Sequence, residues 1–120
     1  MLREAGATYC LGLDAKMPPI ETQLPMLRAL WPGPLVCRWN LHRRHGAYGY
    51  EKAQQLYEPF ERIVDPDPET RATLARVARA TAEAGQSVHI TIGNKAEGCA
   101  PASVAALAEA IMSTASQDHR

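Results

Sequence analysis

Apolar and polar residues follow two different spacings along the chain, one typical of β-strands and one typical of α-helices. Short apolar runs bounded by glycine or proline predict three strands, over 7–13, 35–41 and 87–93. Apolar residues three or four positions apart predict helices over 20–30, from Tyr50 to near Glu58, over 68–84 and from Pro101 onward. Asp67 is expected to cap the third helix and Gly85 to end it, whereas residues 113–120 are expected to form a frayed polar tail.

Strands that alternate with helices predict a parallel sheet with helical crossovers, which is an α/β fold. A chain of 120 residues is long enough for one hydrophobic core, so residues 1–120 are expected to form a single domain. It is too short for a complete (β/α)-barrel, and Met1–Ala5 before Gly6 resembles the end of a helix. The sequence therefore predicts a partial TIM-like barrel, truncated at its N-terminus, with about three parallel strands and three to four helices.

Each predicted strand has one apolar face and one small or polar face. In the second strand, Leu35, Cys37, Trp39 and Leu41 alternate with Val36, Arg38, Asn40 and His42. The apolar face is expected to lie under helices, and the polar face to resemble a barrel interior near an active site. The residues predicted to pack in the core or between helices include Trp31, Trp39, Phe60 and Met112.

Polar and charged residues follow the carboxyl ends of all three predicted strands, where α/β proteins place their ligand sites. The predicted substrate-binding residues are Asp14, Arg38, Asn40, Asn94 and Lys95. Arg38 and Lys95 would hold an anion by charge. His42 and Glu97 are the candidate catalytic residues, because imidazole and carboxylate groups can move protons.

The same residues also have structural interpretations. Arg38 would pair with Asp14 or another carboxylate inside the sheet, since buried charges are usually paired. In the turn 94–98, Asn94 and Glu97 would bond backbone amides, because asparagine and glycine are common turn residues. The sequence leaves these alternatives open.

Composition and charge narrow the classes of function. The 13 basic and 13 acidic side chains give a net charge of zero, without the basic excess of a dedicated DNA-binding or membrane-surface domain. Three widely spaced cysteines indicate neither a disulfide framework nor a zinc knuckle, so reduced thiols and a cytoplasmic location are expected. No apolar run approaches the roughly 20 residues of a membrane span.

His42-Arg43-Arg44-His45 is a dense basic run, and Tyr48 and Tyr50 follow it. Such a loop can grip a phosphate or stack on a base, although short charge runs usually face water. His42 and His45 with Asp14 make a poor pattern of metal ligands, so no metal site is predicted, and no cofactor is identified.

The segment Val88–Ile111 carries a dense motif, which consists of Asn94-Lys95-Ala96-Glu97-Gly98, Ala100-Pro101 and Ser103. It resembles the C-terminal signature of domain-of-unknown-function family 72, the YecE-like barrel family. The segments around Arg38-Trp39 and 58–67 resemble preceding parts of that family. The resemblance implies the C-terminal half of a TIM barrel of about twice this length, and it implies no particular reaction. Gly93 stands where the family often has asparagine, and the N-terminal half of the family pattern is absent.

The leading functional prediction is a small-molecule enzyme, or a fragment of one, that acts on an anionic or phosphorylated substrate. The alternatives are a nucleic-acid-associated binding module that uses Arg43 and Arg44, and an inactive truncated product. The uncovered sheet edges of such a fragment also predict a homodimer.

Overall fold

The computed structural model describes residues 9–13, 17–18, 20–43, 45 and 49–118, with side chains described as far as residue 113. The elements follow the order β1 (Cys10–Leu13), α1 (Ile20–Ala29), β2 (Leu35–Trp39), α2 (Gly49–Tyr57), α3 (Pro68–Glu83), β3 (Val88–Ile92) and α4 (Ala100–Asp118). The predicted α/β class is confirmed. The predicted helix end at Met1–Ala5 and the start of the first predicted strand lie outside the described residues.

The three strands form one parallel sheet in the order β1-β2-β3. Leu11 lies opposite Cys37, and Cys37 lies opposite Ile90, so the carboxyl ends of all three strands share one edge of the sheet. The sheet is open, with β1 and β3 at its two edges. The described residues therefore do not form a closed barrel.

One face of the sheet carries the hydrophobic core. Leu11, Leu35, Cys37 and Trp39 are almost fully buried on this face. The helices contribute Ile20 from α1, Leu74 and Ala78 from α3, and Leu107 from α4. Burying a large apolar side chain contributes about 1.5–3 kcal/mol, so this face anchors the helices.

The opposite face of the sheet is polar and exposed. Arg38, His89 and Thr91 are all exposed there, as is the Cys10 side chain on β1. The strand register places Gly12, Arg38 and Thr91 side by side across the sheet. The predicted division into an apolar and a polar face is confirmed, and we call the polar side the open face.

The predicted helix boundaries are confirmed at α3 and are wrong at the end of α4. Asp67 caps α3, Pro68 is its first residue, and Gly85 follows it with a φ of +78°. The expected frayed tail is helical as far as Asp118, because no glycine or proline after Pro101 interrupts the helix. No helix in the described ranges is both long and apolar enough to span a membrane.

Two of the four residues predicted to pack in the core or between helices are exposed. Met112 has 68% of its surface exposed and Trp31 has 40%, whereas Trp39 has 1%. The neighbouring Ile111 of α4 packs against the core, whereas Met112 is on the exposed side of the helix. The prediction was therefore right for Trp39 and wrong for Trp31 and Met112.

Gln23 of α1 closes part of the free edge of β1. Its Oε1 accepts from the backbone amide of Gly12 at 3.0 Å, and its Nε2 donates to the Gly12 carbonyl at 2.6 Å. The same side-chain amide also accepts from the Tyr9 hydroxyl at 2.8 Å and donates to the Pro18 carbonyl at 2.8 Å. Gln23 is 1% exposed, so a buried side chain satisfies both backbone groups of an edge residue.

Candidate functional site

Backbone hydrogen bonds fix the loops that leave the carboxyl ends of the strands. The Leu13 carbonyl accepts from the amides of Asn40 at 2.9 Å and Leu41 at 3.2 Å, which ties the end of β1 to the loop after β2. The His42 amide donates to the Lys95 carbonyl at 3.0 Å, which ties that loop to the one after β3. The three strand ends thus form one continuous rim, as a parallel sheet allows.

A cleft of about 350 Å³ opens at this rim, between the ends of β1 and β2 and the first turns of α1 and α3. Its apolar wall is formed by Leu13, Met17, Pro18, Ile20, Trp39 and Leu41. Its polar wall is formed by Glu21, His42, Arg43, His45, Asp67 and Thr70. This volume and this mixed lining are typical of sites for small organic molecules that carry a polar group.

Arg43 is held by two carboxylates at the start of α3. Its Nη2 donates to Glu69 Oε2 at 2.9 Å and lies 3.2 Å from Asp67 Oδ1. The hydrogen bond with Glu69, followed by the charge of Asp67, raises the pKa of Arg43. Both contacts use Nη2, so within the described residues the Nε and Nη1 groups of Arg43 remain available as donors to a ligand.

Asp67 makes the first turn of α3 a rigid wall of the cleft. Its Oδ1 accepts from the Thr70 amide at 3.2 Å, and its Oδ2 accepts from the Thr70 hydroxyl at 2.6 Å. Asp67 is 2% exposed. An N-cap of this kind stabilises a helix by about 0.5–2 kcal/mol, and here it also anchors Arg43.

A chain of hydrogen bonds leads from the cleft to the loop before α3. His45 Nε2 lies 2.9 Å from the hydroxyl of Tyr57, and this hydroxyl donates to Asp65 Oδ2 at 2.6 Å. Tyr57 is 1% exposed, and its ring meets the His45 ring edge-on at a centroid distance of 5.7 Å. His45 also meets His42 edge-on, with centroids 6.3 Å apart.

Glu97, a predicted catalytic residue, is completely buried. Its Oε2 accepts from the Asp67 amide at 2.7 Å and from the Arg71 guanidinium. Its backbone carbonyl accepts from the amides of Val64 and Asp65. These contacts agree with the structural interpretation of the turn 94–98, and Glu97 does not line the cleft.

Asn94 and Gly98 complete that turn. Asn94 Oδ1 accepts from the Ala100 amide at 2.8 Å, at the first residue of α4, and the Asn94 carbonyl accepts from the Gly98 amide at 2.9 Å. Gly98 has a φ of +124°, and a Cβ added there would lie 2.8 Å from the Arg62 carbonyl oxygen and the Val64 nitrogen. The turn therefore requires glycine at this position.

The remaining predicted substrate-binding residues lie on the open face, at the rim or outside the described residues. Arg38 is exposed on the open face, and the side-chain oxygen of Asn40 lies beside Gly93. The Lys95 ammonium lies 5.6 Å from the centre of the Tyr50 ring, within the range of a cation–π contact. Asp14 lies outside the described residues. Neither Arg38 nor Lys95 lines the cleft, and their role as an anion clamp stays a prediction.

His45, Tyr57 and Asp65 do not stand out in the sequence as a linked set. His45 was visible in the basic run, and the contact with Tyr57 follows from the packing of α2 on Leu41. Tyr57 looked only like an apolar residue at helical spacing. No signal in the sequence connects its hydroxyl to Asp65, because the contact depends on the loop between α2 and α3.

Within the described part of the chain, no three histidine, cysteine, aspartate or glutamate residues form a group that could hold a metal ion. Comparisons with protein-family models, with curated proteins and with solved structures found no match. The candidate site is therefore defined by its geometry alone.

Proposed function

We propose that the cleft binds a small organic anion, with its apolar body against Leu13 and Trp39 and its carboxylate or phosphate beside Arg43. The observation that carries this proposal is a permanent cation at the polar wall of a cleft whose other wall is apolar. His42 and His45 add ring nitrogens that donate hydrogen bonds to an anion when they are protonated.

The two carboxylates beside Arg43 support this role because they orient its guanidinium. Glu69 has 78% of its side-chain surface exposed, so water screens its charge, while the buried Asp67 holds one end of the contact. A ligand would therefore meet a positioned donor group and lose less conformational freedom on binding than it would with a mobile arginine.

Titration with phenylphosphate and phenylacetate tests the proposal. Trp39 lines the cleft and reports binding by its fluorescence, and a Trp31→Phe background removes the signal of the exposed tryptophan. Loss of a hydrogen bond to a charged group costs about 1.5–3 kcal/mol, so Arg43→Ala should weaken binding by about 10- to 150-fold. Arg38→Ala is the matched control, because it removes an exposed arginine outside the cleft.

The two arginine variants separate two locations for the ligand. Loss of affinity in Arg43→Ala alone supports the cleft. Loss of affinity in Arg38→Ala alone would move the anion site to the open face, where Arg38 and Lys95 were predicted from the sequence to act together. Failure of both probes to bind would overturn the proposed function.

We further propose that the sheet is a sector of a TIM-like barrel of the YecE-like family, which acts in the cytoplasm. Sequential parallel strands, helices on one face and a polar opposite face support the barrel, and three free cysteines support a reducing compartment.

In such a partial barrel, a second copy of the chain would cover the open face. In thermal unfolding, the midpoint should rise with protein concentration, and a midpoint independent of concentration would contradict the dimer.

A nucleic-acid-binding role draws less support than an organic anion. The 13 basic and 13 acidic side chains leave no basic excess to attract a polyanion, whereas the volume of the cleft suits a small molecule. An oligonucleotide affinity that falls steeply with salt concentration would favour the nucleic-acid role instead.

A further inference from the structure

We propose that the outer edge of β3 is a self-association site, at which β3 of a second copy pairs antiparallel and joins the two sheets into one. The contact runs along Val88–Ile92. It uses neither the cleft nor the open face, so it does not rest on the proposed anion site or on the proposed barrel.

β3 presents free backbone hydrogen-bonding groups at its outer edge. The residues that flank it, Ser87 and Gly93, both bond to β2, through a carbonyl at 2.9 Å and an amide at 2.8 Å. Successive residues of a strand point their backbone groups to opposite sides, so Val88, Ile90 and Ile92 point away from β2. Within the described part of the chain, nothing pairs with these three residues on that side. The edge therefore offers their amides and carbonyls to another strand.

The side chains of the same three residues are apolar and only half-buried. They face the helices together with Leu35 and Cys37 of β2, which are each 1% exposed. The helices therefore cover the middle of the sheet more completely than its β3 edge. An extended strand that lay along β3 would bury the remaining apolar surface.

The two edges of the sheet differ in how they are protected. Edge strands commonly carry lysine, other charged residues or proline, which discourage pairing with another chain. β3 has the sequence V-H-I-T-I and contains no lysine, arginine, carboxylate or proline. At β1, by contrast, Gln23 already occupies both backbone groups of Gly12.

This difference determines how a second copy would bind. A head-to-tail contact would place β3 against β1 of the next copy and would have to displace Gln23. A two-fold contact of β3 with β3 displaces no hydrogen bond of the described residues. The second copy therefore binds through its own β3.

A two-fold axis at Ile90 makes β3 complementary to itself. Ile90 then lies opposite Ile90 of the second copy, and Val88 lies opposite Ile92, so the outward amides and carbonyls are all paired. Apolar side chains meet apolar side chains on the helix side of the sheet. On the other side His89 lies opposite Thr91, and both are exposed in the single chain.

Helix α4 supplies the rest of the contact area. A strand of five residues is only about 17 Å long, whereas each partner of a stable complex buries about 800 Å². α4 packs against β3, and its Val104 and Met112 are 51% and 68% exposed. Together with the exposed Ala105 and Ala108 they form one apolar face at helical spacing. We expect this face to be buried between the two copies.

Sedimentation equilibrium of two charge variants tests the contact at exposed positions. His89→Lys with Thr91→Lys places like charges opposite each other, whereas His89→Lys with Thr91→Glu places opposite charges at the same positions. We expect the unmodified chain to dimerise. The dissociation constant should rise by about 2- to 30-fold in the first variant, as for two repulsive cross-strand pairs, and should not rise in the second. An unmodified chain that stays monomeric up to millimolar concentration, or equal dissociation constants of the two variants, would overturn the proposal.

Disulfide trapping tests the register of the two strands. The background is Cys10→Ser, because Cys10 is exposed and the other two cysteines are buried. A mixture of His89→Cys and Thr91→Cys chains should cross-link, since these residues lie opposite each other with Cα atoms about 4.5 Å apart. Each variant alone should not cross-link, because identical residues of the two copies lie about 8 Å apart, beyond the reach of a disulfide.

Arg38→Cys in the same background is the matched control for the open face. Arg38 is exposed there on the central strand, and its two copies would lie at least about 14 Å apart in the edge-paired dimer. We therefore expect no cross-link in this variant. Cross-linking of Arg38→Cys without cross-linking in the mixture would place the second copy on the open face and overturn the pairing through β3.

Discussion

Replacement of Glu97 by alanine should destabilise the fold more than any exposed charge substitution. Glu97 is 0% exposed, and its carboxylate joins the Asp67 amide to the Arg71 guanidinium. Removing one partner of a buried ion pair costs about 3–5 kcal/mol, because the other charge stays without compensation. The side chain of Arg71 is 18% exposed and can gain some water, so we expect about 3 kcal/mol.

Urea unfolding of three variants measures this effect. Glu97→Gln keeps the volume and one acceptor oxygen, so its loss should be smaller, about 1–2 kcal/mol. Glu83→Ala is the matched control, since it breaks the Arg79–Glu83 pair on the surface of α3, where such a pair contributes about 0.3–0.5 kcal/mol. Glu97→Gln also gives a graded result if Glu97→Ala does not fold.

The result also decides between two roles of Glu97. If this residue is structural, Glu97→Gln should lower the unfolding free energy and leave the affinity for phenylphosphate unchanged. A stable Glu97→Gln variant that no longer binds phenylphosphate would refute this reasoning and support a role of Glu97 in the site. A loss in Glu97→Ala no larger than that in Glu83→Ala would refute the estimate of the buried pair.

Three further predictions can be checked on the purified chain. In urea unfolding, Gly98→Ala should cost more than about 2 kcal/mol, because its Cβ meets backbone atoms at 2.8 Å, whereas Gly85→Ala has open space and should cost about 1 kcal/mol. Gln23→Leu should cost about 1–3 kcal/mol because Gly12 loses both partners. Burial, with the nearby Cys10 thiol, raises the pKa of Cys37 to about 12, so a thiol reagent at about pH 8 should modify the exposed Cys10 first. Because the unfolded Cys37 loses its proton at a lower pH, its contribution to stability should fall as the pH rises from about 9 toward 12, and equal reactivity of both thiols in the folded chain would contradict this.

The architecture was accessible from the sequence because its signals are local. Each strand is a short apolar run, and Asp67-Pro68 with Gly85 marks both ends of α3. The alternation along β2 predicted which side chains face the helices, since the period of a strand leaves only two choices. Closure of the sheet was different, because it depends on which strands meet its edges.

For the candidate site, the sequence predicted the location but not the contacts between the side chains. The rim at the carboxyl ends of the strands follows from a parallel sheet, and His42 was placed there from the sequence. The contacts of Tyr57 and Asp65 depend on the path of the loop between α2 and α3, which has no periodic signal. Glu97 was selected for its chemistry, whereas its burial is a property of the packed loop and could not be read from the motif.

The pairing of Gln23 with Gly12 has a consequence for how the sheet can grow. A strand that joined β1 would have to displace an amide that already occupies both hydrogen-bonding groups of Gly12. An added strand therefore competes with Gln23 for the backbone groups of β1. The other edge at which the sheet can be extended is β3. Gln23 thus blocks strand addition at β1 as long as its hydrogen bonds to Gly12 are intact. Its replacement should favour association through β1 and also lower the stability of the single chain.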